Sequence, residues 1–150
     1  MVKRAKIAII GGGLAGGLIA LAVRRADPSL SVVLVEAGEM LGGNHRWSWF
    51  ESDLNNDGQA LLAPIRKIHW PVGYDVHFPE HSRRLESTYF SLASADFDAA
   101  LRRELAQSTI HTGRKVASVD ARGATLEGGK RIEARCVIDA RGYIPSDAFE

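Results

Sequence analysis

The first third of the chain alternates between short apolar runs and glycine-rich or polar connections. Residues 6–10 form an apolar run bounded by glycine, which is typical of a strand buried on both faces of a sheet. Residues 14–26 have helix-forming composition and end at the residues before Pro28, with these apolar side chains at helical spacing: Leu14, Leu18, Leu21 and Ala22. Residues 31–36 are rich in valine and end in an acid. The order predicts a right-handed βαβ unit whose two strands are parallel neighbours.

The pattern after this unit is less regular. We expect residues 37–58 to be loop-like and residues 59–69 to form a short helix kinked by Pro64. Residues 74–78 alternate as a strand does, and Ser94 is a candidate N-cap for a helix over residues 96–107, whose start Asp96 and Asp98 would favour. Residues 115–119, 125–126 and 131–133 then predict a small meander, and residues 136–139 a further strand. The sequence contains no internal repeat.

Composition and charge limit the classes of function. The chain has 150 residues, 45 % hydrophobic and 25 % charged, which suits one globular domain. A net charge of +1, spread along the sequence, argues against nucleic acid as the main partner. The single cysteine, Cys136, excludes an intrachain disulfide and a cysteine-rich metal site, and its apolar strand predicts a buried packing role. The histidines are scattered along the chain, so we expect no metal.

The N-terminal segment also resembles a secretory signal in part. Residues 1–6 are basic, residues 7–23 carry no charge, and Ala20-Leu21-Ala22 has the form of a signal-peptidase site. Five glycines between Gly11 and Gly17 are unsuited to the apolar helix of a signal peptide, and the run is too short for a transmembrane helix. We therefore expect neither a signal peptide nor a transmembrane segment in this chain, and a cytoplasmic location.

A glycine motif carries the main functional prediction. Gly11, Gly13 and Gly16 satisfy G-x-G-x-x-G between a predicted strand and a predicted helix. The first glycine permits the tight turn, the second lets a pyrophosphate approach the backbone, and the third lets the helix pack closely. The phosphates would lie on the helix N-terminus, and Glu36 would accept hydrogen bonds from ribose hydroxyls. Its carboxylate would repel the 2′-phosphate of NADP, so NAD and FAD both remain candidates.

Two further features favour FAD. Gly42-Gly43 follows Glu36 after a short acidic segment. Flavoproteins similar to glutathione reductase often have a glycine pair at this place, where the polypeptide chain runs past the flavin. A helix, then a meander, then a strand that ends at residues 139–142 is the order seen in FAD monooxygenases, which implies that Val116 contacts adenine and that Ala140 to Gly142 close over the ADP portion. The predicted fold is therefore α/β, a Rossmann-like FAD-binding domain of the glutathione-reductase/monooxygenase type with a small β-meander. The predicted cofactor-binding residues are Gly11, Gly13, Leu14, Ala15, Gly16, Glu36, Ala37, Gly43, Asn44, Val116, Ala140 and Gly142.

Several stretches together resemble the N-terminal part of bacterial lycopene cyclases, the FAD-dependent enzymes of carotenoid biosynthesis. They are residues 11–15 and 17–20, the block Gly-Gly-Asn-His-Arg-Trp-Ser at 42–48, His-Trp-Pro at 69–71, Tyr-Phe at 89–90 and Val-Ile-Asp-Ala-Arg-Gly-Tyr at 137–143. The Asn-His-x-Trp-Ser block is the most specific, because generic flavoproteins do not need it. One departure is Lys6, where members of the family often carry an acid. His45, Trp47 and Trp49 could line a flavin or carotenoid pocket, or could pack only against their own loop.

The resemblance implies a chemistry that composition does not. It implies acid-initiated cyclisation of the linear ends of lycopene to β-ionone rings, without net redox change, on reduced FAD, with NAD(P)H as the electron source. It also implies a carotenoid substrate held in the membrane and a membrane-associated protein. The acid and the substrate tunnel would lie beyond Glu150. We therefore expect residues 1–150 to be one FAD/NAD(P)-binding domain, incomplete at its C-terminus and inactive alone, with no catalytic residue. The alternatives are an FAD-dependent oxidoreductase or hydroxylase of the same fold, and a non-catalytic dinucleotide-binding module.

Overall fold

A computed structural model describes residues 3–142 of the chain. Its helices are α1 (Leu14–Ala26), α2 (Asn56–Leu62) and α3 (Ser94–Glu104), with one 3-10 turn at Glu51–Asp53. Its strands are β1 (Lys3–Ile10), β2 (Val32–Val35), β3 (Arg46–Phe50), β4 (Ile68–Trp70), β5 (Tyr74–Phe78), β6 (His81–Leu85), β7 (Tyr89–Ala93), β8 (Ile110–His111), β9 (Val116–Asp120), β10 (Gly123–Leu126) and β11 (Arg131–Asp139). No helix among the described residues is long and apolar enough to cross a membrane.

The main sheet has the strand order β8-β2-β1-β11-β10-β9. Its strands β8, β2, β1 and β11 run parallel, and β10 and β9 continue from β11 as an antiparallel meander. Ile10, at the end of β1, lies opposite Val35 on one side and Asp139 on the other. The carboxyl ends of β1, β2 and β11 therefore meet at one edge, which is where parallel α/β sheets bind ligands. The α/β fold class and the βαβ unit predicted from the sequence are confirmed.

The two faces of this sheet have separate apolar clusters, as expected when side chains alternate along buried strands. Ile9 and Leu34 point to the face covered by α1 and α3, whereas Ala8 and Ile10 point to the face that packs on the meander. Gly17 lets α1 approach α3, because a Cβ there would lie 2.6 Å from the ring of Phe97. The buried residues of α1 are Gly16, Gly17, Ala20 and Leu21, while the predicted face residue Ala22 is exposed.

Residues 37–70 differ most from the sequence prediction. The expected loop contains β3, because Trp47 and Trp49 alternate with polar residues and pair with Leu92 and Phe90 of β7. The helix predicted over residues 59–69 is wrong. Instead α2 begins after Asn55, whose side chain accepts a hydrogen bond from the Gly58 amide, and it ends before Pro64. The residues that follow form β4, which pairs with the other side of β7.

Three smaller predictions are also corrected. The helix α3 begins at Ser94, so Ser94 is not its N-cap; the cap is Ala93, which is still held in the extended conformation of β7. The two strands predicted at residues 131–133 and 136–139 are one strand, β11, because it pairs with β1 along nearly its whole length. Cys136 is exposed and not buried, as is the neighbouring Arg135, so this part of β11 is not covered.

Candidate nucleotide-binding cleft

The turn between β1 and α1 brings the strand ends together. Gly11 has φ +103°, a conformation that favours glycine, and its N–H donates to the carbonyl oxygen of Val35. A Cβ on Gly11 would lie 2.5 Å from the carbonyl oxygen of Ala140 and 2.8 Å from the Arg141 nitrogen. A side chain at the first glycine of the motif would therefore collide with the end of β11. Its absence lets the ends of β1, β2 and β11 converge.

The third glycine of the motif serves packing. Gly16 is buried in the first turn of α1, and a Cβ there would overlap the carbonyl oxygen of Gly11. Gly16 thus lets the helix lie close to the turn, as predicted for this position. The structure places Gly16 beneath the turn and not in the wall of the cleft.

The second glycine faces open space. A Cβ on Gly13 would meet no heavy atom within 4 Å, and the backbone of Gly13 has an ordinary φ of −68°. Gly13 is the N-cap of α1, no side chain caps the helix, and its first turn contains no acidic residue. The first N–H groups of a helix lack partners within the helix, and they carry partial positive charge. This end of α1 therefore presents backbone donors to an unfilled space, as an anion site requires.

Glu36 follows β2 and is fixed by two backbone amides. Its Oε2 accepts a hydrogen bond of 2.7 Å from the Gly12 N–H, and its Oε1 accepts one of 2.7 Å from the Gly38 N–H. A carboxylate can accept about four hydrogen bonds, so about two acceptor positions remain. Glu36 thus shapes the glycine turn and can also accept hydrogen bonds from the hydroxyls of a ribose.

These parts surround a cleft of about 610 Å³ at the carboxyl edge of the sheet. Ten of the predicted cofactor-binding residues line it, namely Gly11, Gly13, Leu14, Ala15, Glu36, Ala37, Gly43, Val116, Ala140 and Gly142. Gly16 and Asn44 do not. The cleft has a near side around Glu36 and Val116, a centre at the start of α1, and a far side formed by Gly42, Gly43, His45 and Trp47.

The sequence interpretation missed several lining residues on the near side. Arg114, Lys115 and Glu127 all line the cleft. The Arg114 N–H donates to the Glu36 carbonyl oxygen at 2.9 Å, and the Glu127 N–H donates to the Lys115 carbonyl oxygen at 2.9 Å. Proximity to Val116 along the chain could have indicated Arg114 and Lys115. Glu127 reaches the cleft only through the meander, so its position in the sequence carries no comparable indication.

An ion pair fixes the end of β11 beside the glycine turn. Arg141 donates to both carboxylate oxygens of Asp139, with Nε at 2.8 Å and Nη2 at 2.6 Å, and both side chains are largely buried. The hydrogen bonds from Arg141 hold the pKa of the Asp139 carboxyl below its usual range. The Ala140 N–H donates to the Ile10 carbonyl oxygen at 2.6 Å. Arg141 therefore lines the cleft in a fixed position, within the stretch from Ala140 to Gly142 that the sequence interpretation expected to close over the ADP portion.

The aromatic residues of the Asn-His-x-Trp-Ser block, and Trp49 directly after it, have different roles. His45 and Trp47 line the far side of the cleft, and the Trp47 ring meets the Phe97 ring edge-on at 5.4 Å. Trp49 stacks on Phe90 at 5.5 Å and does not line the cleft. The pocket interpretation thus fits His45 and Trp47, and the packing interpretation fits Trp49.

Asp98 does more than favour the start of a helix. It is buried within α3, and its Oδ1 accepts a hydrogen bond of 2.7 Å from the Leu41 N–H. Its Oδ2 is 2.8 Å from Nε of Arg102, which in turn donates to the Glu39 carbonyl oxygen at 3.1 Å. The predicted role of Asp98 in helix initiation therefore misses its main contact, which is with the loop after β2.

Across residues 3–142, no cluster of three or more His, Cys, Asp or Glu side chains could hold a metal ion.

Comparison with known proteins places this cleft in a family. The model of the lycopene cyclase protein family matches residues 6–148. The chain belongs to the lycopene cyclase family. It is 42 % identical over 142 residues to a lycopene beta-cyclase of Pseudescherichia vulneris, covering 95 % of this chain, and 44 % identical over 140 residues to one of a Paracoccus species, covering 93 %. The chain spans 36 % of the length of each of these relatives.

Solved structures with the same fold include oxygenases, one of which is described as FAD-containing. A variant of 2-methyl-3-hydroxypyridine-5-carboxylic acid oxygenase superposes with a TM-score of 0.66 at 17 % identity, covering 91 % of this chain and 39 % of that one. A protein described as an FAD-containing monooxygenase from Photorhabdus luminescens superposes with a TM-score of 0.59 at 16 % identity, covering 92 % and 39 %. At such identities the likeness establishes the fold, which is the Rossmann-like fold of the monooxygenase type predicted from the sequence.

Proposed function

We propose that residues 1–150 form the FAD-binding portion of a lycopene cyclase. The observation that carries this proposal is the arrangement of Gly13 and Glu36 at one sheet edge. Gly13 leaves open space at the uncapped start of α1, and Glu36 is held 2.7 Å from the Gly12 amide with acceptor positions to spare. A pyrophosphate fits the first feature, and a ribose fits the second.

FAD is preferred to NAD because of the far side of the cleft. Beyond the start of α1, the cleft continues along Gly42 and Gly43, both with positive φ, to His45 and Trp47. This extension offers backbone and aromatic surface to the half of the ligand that lies beyond the phosphates. The fold shared with FAD monooxygenases and the membership of the lycopene cyclase family also support FAD. The adenine would lie toward Val116, and Ala37, Leu14, Ala15, Ala140 and Gly142 would surround the ADP half.

The proposed reaction is the closure of β-ionone rings at the linear ends of lycopene. An acid protonates the terminal double bond, the chain closes on the resulting cation, and loss of a proton completes the ring without net redox change. Reduced FAD, with NAD(P)H as the source of electrons, supplies electrostatic stabilisation of the cationic transition state. The residues of this chain bind and orient the cofactor, and we assign none of them a catalytic role.

We also propose that the protein works at a membrane. Lycopene is a hydrocarbon, so it partitions into lipid and not into water. Large apolar side chains are exposed close together in the sequence, namely Ile68, Trp70, Val72 and Phe78. We expect these side chains to contribute to one apolar surface, and such surfaces are typical of sites that contact a protein or a membrane.

The activity is tested by expressing the complete gene that encodes this chain in cells that accumulate lycopene, followed by chromatography of the pigments. Conversion of lycopene to β-carotene is expected, and the matched Gly13→Val variant should convert less of the lycopene. Lycopene that persists while the wild-type protein is present and flavin-loaded would rule out the cyclase proposal. An oxygenated product would instead favour the hydroxylase alternative, which the fold of the structural neighbours makes the second candidate.

A further inference from the structure

A buried acid ties α3 to the loop that forms the far side of the cleft. Asp98 accepts a hydrogen bond from the Leu41 N–H, although 57 positions separate the two residues. Arg102 pairs with Asp98 one helical turn later and donates to the Glu39 carbonyl oxygen. Two residues of one helix therefore hold two backbone positions of the same loop. We use the term α3 clamp for Asp98 and Arg102 with their contacts to Glu39 and Leu41.

The clamped loop is in direct contact with the glycine turn. The Leu41 side chain is fully buried, and it lies so close to Gly12 that a Cβ there would be 2.5 Å from it. The Gly42 N–H donates to the Gly12 carbonyl oxygen at 2.7 Å. The α3 clamp thus fixes the loop immediately before Gly42 and Gly43, both of which line the cleft.

Neither clamp residue lines the cleft, and Asp98 is only 9 % exposed. Burial of a carboxylate is unfavourable unless it is paired and hydrogen-bonded, and here both of its oxygens have partners. A salt bridge on its own would not require the loop contact, because Arg102 is half-exposed and could pair with Asp98 from solvent. Because Asp98 is buried, it can accept the hydrogen bond from the Leu41 N–H, and this hydrogen bond fixes the position of Leu41.

We propose that Asp98 is a positioning residue for the flavin half of the bound dinucleotide, acting through Leu41 and the two glycines that follow it. This inference rests on the proposed FAD function. The ADP half is held by other elements, namely the start of α1, Glu36 and the segment around Val116. Loss of the clamp should therefore weaken the binding of FAD more than the binding of ADP, which lacks the flavin half.

The test compares the dissociation constants of FAD and ADP for the purified chain and its variants. Asp98→Ala removes both hydrogen bonds, and Arg102→Ala, at a half-exposed position, removes only the support from the arginine. If the loop then occupies its binding position about one-tenth of the time, the FAD dissociation constant rises about tenfold while that of ADP changes less than about twofold. Arg102→Ala should change the ratio of the FAD dissociation constant to the ADP dissociation constant in the same direction, but by less than Asp98→Ala does. Asp98→Asn, which keeps an acceptor for the Leu41 N–H, should restore much of the FAD affinity.

Asp96→Ala is the matched control, because Asp96 lies on the same helix and pairs with Arg66 at 3.8 Å without touching the loop. An equal loss of FAD and ADP affinity, or an unchanged ratio in both clamp variants, would overturn the inference while leaving the FAD proposal intact. If Asp98→Ala fails to fold, the ratio measured for Arg102→Ala decides between these outcomes. Absence of saturable FAD binding by the wild-type chain would overturn the proposed function, and this inference with it.

Discussion

Gly13 is the position where a ligand effect can be separated from a folding effect. The three motif glycines differ in what an added side chain would meet. A Cβ on Gly11 or Gly16 would collide with the backbone of the protein itself, whereas a Cβ on Gly13 would enter open space. We therefore predict that Gly13→Val leaves the fold intact and weakens nucleotide binding.

The magnitudes follow from the local geometry. Gly13 has an ordinary φ of −68° and makes no side-chain cap, so valine there should cost no more than about 1 kcal/mol of stability, through the poorer N-cap. For a domain of this size, that lowers Tm by about 2–4 °C. The valine side chain would stand where a phosphate must approach the first amides of α1. Loss of one hydrogen bond to a charged group costs about 1.5–3 kcal/mol, so FAD should bind roughly ten- to a hundredfold more weakly.

The assay combines thermal unfolding of the ligand-free chain with equilibrium titration by FAD. Ala22→Val is the control, since it adds bulk to an exposed position of the same helix away from the cleft. Gly16→Ala should lower the Tm by more than Gly13→Val does, because its Cβ would overlap the Gly11 carbonyl oxygen. A Gly13→Val variant that binds FAD as tightly as the wild type would refute the placement of the phosphates over Gly13.

Three further predictions concern other residues. Glu36→Gln should destabilise even the ligand-free chain by about 1–3 kcal/mol, because its amide group cannot accept from both backbone N–H donors. The control is Glu39→Gln, which removes the same charge at an exposed position and should unfold at the same urea concentration as the wild type. The lowered pKa of Asp139 means that its ion pair stabilises the fold above its ordinary pKa of 3.8, and this contribution is lost as the pH falls below that value. Asp139→Asn should therefore flatten the fall in unfolding free energy between pH 5 and pH 2, and an unchanged slope would contradict this. Val72→Asp should reduce sedimentation with vesicles of phosphatidylcholine and phosphatidylglycerol, whereas Met40→Asp, at an exposed large apolar side chain far from Val72 in the sequence, should not. Equal binding of both variants would argue against a lipid contact at Val72.

The βαβ unit was predictable because its information is local. Buried strands, the glycine turn, the helix and Glu36 follow one another within about thirty residues, and the parallel pairing then forces Gly11 and Glu36 to one edge. Val116, Ala140 and Gly142 were placed by resemblance to FAD monooxygenases and lycopene cyclases, and the structure brings them to the same cleft. Their position in the sequence alone would not have indicated this. Ala140 and Gly142 reach the cleft because β11 pairs with β1, and Val116 reaches it through the meander that continues from β11.

The contacts that sequence interpretation missed are those between distant segments. Asp98 looked like a first-turn acid, since nothing near it in the sequence indicates that Leu41 supplies its partner. Glu127 approaches the cleft only because the meander folds back on Lys115. The sequence predicts a loop where β3 lies, because the strand is defined by its pairing with β7, which is about forty residues away along the chain.

The central claim is that the cleft at the start of α1 holds FAD by its ADP half. It is tested most directly by titrating the purified chain with FAD and then competing with ADP. The account predicts saturable binding at one site, complete displacement by ADP, and loss of binding in Glu36→Lys, whose cation would face the ribose and disrupt both amide contacts. FAD binding that ADP does not displace, or that Glu36→Lys leaves unchanged, would contradict it.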